Sequence, residues 1–518
     1  MLQYGADGYP QASLGEAFAG RCTQPEIDSL VAPFREQWNG AFFMVLRRPS
    51  YLLLIFFVVT AAFAQRSTVS DTLSVPAEEK LYTLPEFVVS ATRWKANVST
   101  LPSSVTVITA DDLSSSRDGT LASALEGVPG LFLKSYGGSG SVTTTSIRGM
   151  GAEHTLVLVD GQRFNNVRDG QVDFGIMPLQ NIERVEVLRG GFSSMYGTDA
   201  LGGIINIVTQ RPGTVSRVRG EILTGSYGMH GGQLSAELPL GQVGLLLSAR
   251  REAGRGDYEF KFQDGRSSSI LRRQNADYVI NQLQLFADAT PFVGAIFRWS
   301  TSYNWSDRGS PGAVLSESSS NLARLRDAGL QGQASLEWNL TPRLAFRFSS
   351  LFNAQHRVYS DPSLPGESAD HESDFGDRSI VVTPSIRYAL NGWTFLNVGG
   401  EYARSSVTSN QVESADRSQY SLFVSSDHTV DLSREFFYQF NVFPSVRFDR
   451  LTGISGDVSP KFGINVGIWR PLALRLKSSI GKSFRAPSFN DLYWKGSGNP
   501  LLRPWGGSVP RRRQPSRP

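Results

Sequence analysis

From about residue 215 onward, apolar and polar residues alternate with a period of two. Leu336, Trp338 and Leu340 alternate with Ser335, Glu337 and Asn339, and a turn at Thr341-Pro342 separates them from Leu344, Phe346 and Phe348, which alternate with Arg343, Arg347 and Ser349. Phe462, Ile464, Val466 and Ile468 stand opposite Gly463, Asn465 and Gly467; beyond Arg470-Pro471, Leu472, Leu474 and Leu476 alternate with Arg475 and Lys477. Successive side chains of a strand point to opposite faces, so each run predicts a strand with one apolar and one polar face. Asn391-Gly392, between two such runs, predicts a type I′ hairpin. About thirteen such runs fall between residues 213 and 502. A membrane barrel with a lipid face and a polar lumen has this pattern. A soluble β-sandwich has it too, so the period leaves both open. Long polar inserts at 252–276, 306–328 and 358–378 read as loops on one rim, where ligand recognition is expected.

The segment 84–212 is patterned differently. Leu84–Arg93 is a short β-prone stretch that could pair with almost any sheet edge. Val105–Thr109 alternates as a strand, and Asp111-Asp112 suits the start of a helix. Leu121, Leu125 and Val128 share one face of a short helix that Pro129-Gly130 ends. Strand-like runs follow at Thr155–Val159, with a hairpin signal at Asp160-Gly161, and at Ile182–Arg189, where apolar and charged residues alternate imperfectly before Gly190-Gly191. Arg148, Arg184 and Arg189, with Glu183 and Glu186, are candidates for charge pairs to a surrounding wall or for a solvated face.

One apolar run, Tyr51–Ala64, is too short to cross a bilayer core of about 30 Å as a helix. Arg47 and Arg48 precede it and Ala62-Phe63-Ala64 closes it, which is the layout of a secretory signal peptide cut before Gln65. Met44 begins a signal of ordinary length (44–64), so residues 1–43 read as a non-native extension, and 65–83 as a polar linker. With no other run long enough for a membrane helix, a membrane location requires a closed barrel, since lipid offers no partner to free backbone groups.

Composition changes this picture little. The 51 glycines and 31 phenylalanines suit short strands and turns, and the net charge of +4 comes from a tail, 503–518, with five arginines and no acid. No nucleic-acid partner is inferred. Cys22 lies upstream of the cleavage site, so the mature chain has neither a disulfide nor a thiolate metal site. His154, His230, His356, His371 and His428 lack metal-ligand spacing. Gly481-Lys482-Ser483 lacks the first glycine of a phosphate-binding loop, and no nucleophile elbow is present. No catalytic residue, metal or cofactor is expected, and no enzyme.

Five pieces in order carry a specific resemblance: Ser146-Ile147-Arg148-Gly149; Val157-Leu158-Val159-Asp160-Gly161; Ile182-Glu183-Arg184-Val185-Glu186-Val187-Leu188-Arg189-Gly190; Ser194-Met195-Tyr196-Gly197; and Ala200-Leu201-Gly202-Gly203 through Thr209. Together they resemble the plug domain of TonB-dependent receptors. Glu86-Phe87-Val88-Val89-Ser90-Ala91-Thr92 is similar to that family's TonB box. The resemblance implies a mainly β protein, with an α+β plug (84–212) inside an antiparallel transmembrane barrel (213–502) of the outer membrane of a Gram-negative-type bacterium. It further implies the inner-membrane TonB protein as partner and active uptake of a small ligand such as cobalamin or a ferric siderophore. Asp307–Gly312 and Ser483–Trp494 look most like the cobalamin and catecholate-siderophore branches. A surface binding protein without transport is the alternative.

The family's barrel has about 22 strands, more than the 305 residues after position 213 hold. Ser483–Trp494 and Gly498–Pro504 resemble a motif well inside that barrel, and alternation then stops. The expectation is a barrel cut short, with 503–518 an aberrant tail; a fragment that cannot close its barrel and an intact protein with an unusual tail are the other readings.

Overall fold

The computed structural model describes residues 87–504, apart from 89–91, 115–119, 266, 317–320 and 363–371. The expected extension, export signal, linker and residues 505–518 of the tail lie outside the described residues. So do Glu86, Val89, Ser90 and Ala91 of the TonB-box-like segment.

The N-terminal part begins with β1 (Phe87–Val88), paired antiparallel to β2 (Ala96–Asn97). Then come β3 (Ser104–Thr109), α1 (Ala110–Ser114), α2 (Leu121–Leu125), the hairpin β4 (Leu131–Ser135) and β5 (Thr143–Ile147), β6 (Thr155–Val159), β7 (Gln162–Arg163), β8 (Ile182–Arg189), α3 (Ser193–Tyr196) and β9 (Gly203–Thr209). Five strands form one sheet in the order β3-β8-β9-β6-β7.

Both faces of this sheet are covered. Val185, Val187, Ile205 and Ile207 pack with Leu121, Leu125, Ile147 and Phe174. Leu188, Ile204, Leu156 and Leu158 pack on the other face with Val88, Met195 and Tyr196. A strand buried on both faces needs no alternation, which is why Gly203–Thr209 reads as a continuous apolar run. In β8 the imperfect period has a local cause: the register against β9 shifts between Ile182 and Arg184. Such an irregularity sends the next side chain to the other face. The turn between β6 and β7 is the expected one, with φ of 50° at Asp160 and 80° at Gly161. Asp160 braces it by accepting from the Thr209 N–H at 3.0 Å and its Oγ1 at 2.7 Å.

The helix start expected at Asp111-Asp112 is present in α1. Thr120 caps α2 by accepting from Ser123 N–H. Asp112 accepts from the Thr109 N–H at 2.9 Å and its Oγ1 at 2.8 Å, and these bonds hold its carboxyl below the ordinary 3.8. A depressed carboxyl contributes its stabilisation above the unfolded-state pKa and loses it as pH falls through the lower folded value. Amide exchange at α1, corrected for intrinsic rates, is therefore expected to accelerate below about pH 4 in the wild type. In Asp112→Asn it should be insensitive to pH.

The second part contains β10 (Arg217–Thr224), β11 (His230–Leu240), β12 (Val243–Gly254), β13 (Glu259–Asp264), β14 (Ser267–Arg272), β15 (Tyr278–Ala289), β16 (Ala295–Gly309), β17 (Arg324–Thr341), β18 (Leu344–Ser360), β19 (Glu372–Asn391), β20 (Thr394–Ser409), β21 (Ala415–Asp431), β22 (Phe436–Leu451), β23 (Ile454–Trp469) and β24 (Leu474–Gly481). Thirteen of these strands form one antiparallel sheet in chain order from β10 to β24, with β13 and β14 standing apart as a hairpin. Among the described residues, the outer edges of β10 and β24 have no partner strand.

The alternation along this wall is inverted relative to a soluble protein. On β21, Tyr420, Leu422 and Val424 are exposed while Ser421 and Ser425 are buried. On β22, Val446 and Phe448 are exposed while Arg447 and Asp449 are fully buried. Apolar residues outside and charged residues inside exclude the sandwich and mark a wall with lipid on its outer face.

Three expectations are corrected here. The β19–β20 hairpin forms, but neither Asn391 nor Gly392 has a positive φ, so it is not a type I′ turn. The loop is Gly392-Trp393, with a register shift beside it between Ala389 and Asn391. Asn391 Oδ1 instead accepts from Trp393 N–H, the side-chain-to-backbone bond that Asn offers in turns. Leu472 belongs to the turn rather than to β24. The polar inserts are also shorter than expected, because β16 runs on to Gly309, β17 starts at Arg324, β18 runs to Ser360 and β19 starts at Glu372. Beyond the lipid zone both strand faces can be polar while the hydrogen-bond ladder continues, so the periodic signal fades before the strand ends.

Candidate functional site

The N-terminal domain lies against the polar inner face of the wall, and the contact between them is built from charge and hydrogen bonds. One cluster centres on α3. Arg93 donates to Glu401 of β20 at 2.9 Å and to the Met195 carbonyl at 3.0 Å. Arg447 of β22 donates to the other Glu401 oxygen at 2.7 Å, to Asp449 at 2.9 Å and to the Met195 carbonyl at 3.3 Å. Asp449 also accepts from Ser421 at 2.6 Å and Gln419 at 3.0 Å. Two cations and two anions balance, which is the condition under which buried charge is tolerated. The Arg93 guanidinium lies 4.5 Å from the ring centres of both Tyr196 and Phe423. Burial pushes the Tyr196 phenol up to about 12, so the ring stays neutral beneath that cation. Gly197 turns the chain at a φ of 75°, and a Cβ there would sit 3.1 Å from Arg447 Nε.

A second cluster lies toward the rim that carries the longer connections. Asp173 accepts from Arg308 of β16 at 2.8 Å, Arg308 donates to Asp327 of β17 at 2.6 Å, and Arg357 of β18 closes the chain on Asp327 at 2.5 Å. Nearby, Asn166 donates to Gln355 at 2.8 Å and to Asp377 at 2.7 Å, while the Arg168 guanidinium stacks 3.9 Å from the Phe375 ring centre. The segment after β24 folds inward here. Ser488 and Asp491 form a reciprocal cap on α4 (Phe489–Tyr493). Phe484 and Phe489 are buried, and Asn490 N–H donates to the Arg168 carbonyl.

Of the charged candidates for wall pairing or a solvated face, Glu183, Arg184, Glu186 and Arg189 form no ion pair with the wall among the described residues. Arg184 pairs with Glu183 and, at 2.9 Å, with Glu186 on its own strand. Glu186 is fully buried and also accepts from Asn206 at 3.0 Å. Arg189 donates to the Pro129 carbonyl and to Thr106, so these groups fasten the domain internally. Arg148 and Gly149 form a left-handed turn with φ of 56° and 74°. Gly190 also has positive φ. Gly202 and Gly203 pack so closely under β5 and β8 that side chains there would meet backbone. Of the expected motif pieces, Ser194-Met195-Tyr196-Gly197 is the one that sits at the charge cluster with the wall. Of the TonB-box-like segment, Phe87 and Val88 form β1, and Thr92 is buried, donating to the Trp94 carbonyl.

Sequence reasoning passed over Arg93, Asp173, Arg308, Glu401, Arg447 and Asp449 as a set. Their signal is the lumen-facing alternation of charge in runs such as Val446-Arg447-Phe448-Asp449, where two opposite charges point inward between lipid-facing residues. Among the described residues, no group of acidic, His or Cys side chains is arranged to hold a metal ion.

Comparison with known proteins agrees with this geometry. A family model described as the TonB-dependent receptor plug domain matches residues 97–204. One described as the TonB-dependent receptor-like β-barrel matches residues 224–507. The chain is 27% identical over 438 residues to a vitamin B12 transporter BtuB of Photobacterium profundum, covering 80% of this chain and 65% of that protein. It is 38% identical over 158 residues to an iron-regulated outer membrane virulence protein of Vibrio cholerae, covering 29% of this chain and 22% of that protein. Among solved structures, a ferric enterobactin receptor (PfeA) mutant from Pseudomonas aeruginosa superposes with a TM-score of 0.60 at 16% identity, covering 76% of this chain and 64% of that one. The ferric citrate transporter FecA in its unliganded form superposes at 0.59 and 16% identity, covering 75% and 64%. At that identity the superpositions establish the fold. The chain spans 65% of the length of the Photobacterium relative.

Proposed function

Since the chain belongs to the TonB-dependent receptor family, we propose that it is an outer-membrane receptor for active uptake of a scarce ligand of the cobalamin or ferric-siderophore class. The observation that carries this reading is the polar seam between plug and wall. Ion pairs and hydrogen bonds inside a lumen can be exchanged for bonds to water at a small net cost, because desolvation offsets most of their attraction. A plug held this way resists leakage yet can be displaced by a pull on one end. An apolar seam would lock it.

In this reading the ligand binds on the rim formed by the long connections and the plug loops beneath them, and the segment Glu86–Thr92 becomes available on the opposite side. The TonB protein of the inner membrane pairs with that segment by adding a strand, and its pull rearranges the plug. Delivery to the outer membrane would use the expected signal at 44–64. The relatives' names favour cobalamin and iron chelates as the first ligands to test.

The test separates binding from coupling. Val89→Pro removes a backbone donor that strand pairing with a partner would use. Cells carrying this variant should retain surface binding of labelled cobalamin or ferric chelate, while uptake falls at least about tenfold, because only the TonB-coupled step uses the segment. Undiminished uptake would overturn the reading.

A further inference from the structure

The buried charges described above come in compensated sets, but among the described residues one group of half-buried and exposed cations at the seam does not. The plug positions Arg148, in the turn after β5, and Arg189, at the end of β8, on either side of Gly130. A Cβ at that glycine would lie 3.8 Å from Arg189 Nε and 3.9 Å from Arg148 Cγ. The wall adds Lys461 from β23, Lys477 from β24 and Lys482 just beyond it. The five cations line one cavity of about 490 Å³ together with Ser479 and Ser483, and among the described residues no carboxylate lines it.

Arg148 has no ion-pair or hydrogen-bond partner for its side chain among the described residues. Arg189 uses the Pro129 carbonyl at 2.8 Å, Thr106 at 2.9 Å and Ser104 at 3.4 Å, and its Nη2 is buried without a partner. Lys461 donates to the Gly191 carbonyl at 2.8 Å, and Lys477 to the Val98 carbonyl at 3.3 Å. Lys482 alone meets a carboxylate, Asp457 at 2.6 Å. Four cations without a carboxylate partner among the described residues concentrate positive potential around one void. Burial and the neighbouring Arg148 lower the pKa of Arg189, as expected where like charges are held together.

We propose that this cavity binds a phosphoryl group, either inorganic phosphate or the phosphodiester of a larger anion. A carboxylate has two oxygens and one charge, too little for cations that converge from both plug and wall. A phosphoryl group presents several acceptor oxygens, suits the forked donors of arginine and the point charge of lysine, and accepts from serine hydroxyls as well. The site stands on the cavity itself and does not depend on the uptake reading.

The experiment uses the full chain in detergent micelles at low salt. It is titrated by calorimetry with inorganic phosphate in one arm and dimethyl phosphate in the other. Removing two charge-assisted partners in Arg148→Gln with Lys477→Gln should weaken binding at least about tenfold, and each single change about threefold. Lys495→Gln, whose ammonium donates to the Asn410 carbonyl elsewhere, should leave affinity unchanged. A selective loss with inorganic phosphate supports a free-dianion site, and a selective loss with dimethyl phosphate supports a phosphodiester-bearing ligand. If the double variant fails to fold, Arg148→Gln carries the test, because that side chain is exposed. No wild-type binding of either probe, or equal affinity in folded variants, would overturn the proposal.

Discussion

Replacing Arg447 with Met should loosen the plug from the wall more than any other single change to a side chain. Arg447 is fully buried and joins Glu401, Asp449 and the Met195 carbonyl. Methionine keeps the volume but leaves two carboxylates in the lumen facing one remaining guanidinium, that of Arg93. Removing one member of a buried charge set costs about 3–5 kcal/mol, most of it the penalty of the charge left behind. Urea titration in detergent, followed by proteolysis of the plug, measures this directly. Arg470→Met is the control: its pair with Asp431 spans 2.9 Å but is about half exposed on both sides, so the loss should stay below about 1 kcal/mol. Equal effects of the two changes would mean that the seam is not held by the cluster.

Gly203→Ala should be nearly as damaging, through backbone rather than charge. A Cβ there would lie 2.2 Å from the Leu188 carbonyl oxygen and 2.8 Å from Ile147 Cδ1. The oxygen belongs to the β8–β9 ladder and cannot move without breaking it, so the two central strands must separate. Overpacking of this kind typically costs about 1–3 kcal/mol, and more where backbone is the obstacle. Hydrogen exchange of β8 and β9 amides should accelerate accordingly. Gly161→Ala provides the contrast, because its Cβ would meet open space. Only the left-handed conformation at φ 80° is penalised there, by about 1–2 kcal/mol. If both variants exchange alike, the packing argument at Gly203 fails.

What could be read in advance divides by the range of the interaction responsible. Turn chemistry and caps depend on neighbours in the chain. Asp160-Gly161 is accordingly found with both φ values positive, and Leu121 and Leu125 are buried on α2, which ends at Leu125, with Val128 buried in the turn beyond it rather than on the helix. Asn391-Gly392 failed as a type because its turn is set by a register shift in the ladder, which a dipeptide does not encode. The loop limits failed for a related reason: strand pairing continues where the lipid no longer imposes alternation.

The sequence by itself determined the kind of molecule. Its two-residue period fixes which side chains share a face, and the ordered plug motifs name the domain inside. The tertiary structure alone decided which face is wet and which charges meet. Arg93 and Glu401 are 308 residues apart, and Asp173 and Arg308 are 135 apart. Nothing local distinguishes an arginine that will close a lumen from one such as Arg184, which pairs two residues away. Coulombic and hydrogen-bonding partners are chosen by proximity after folding. The seam on which the proposed uptake depends therefore emerges only when the wall has formed around the plug.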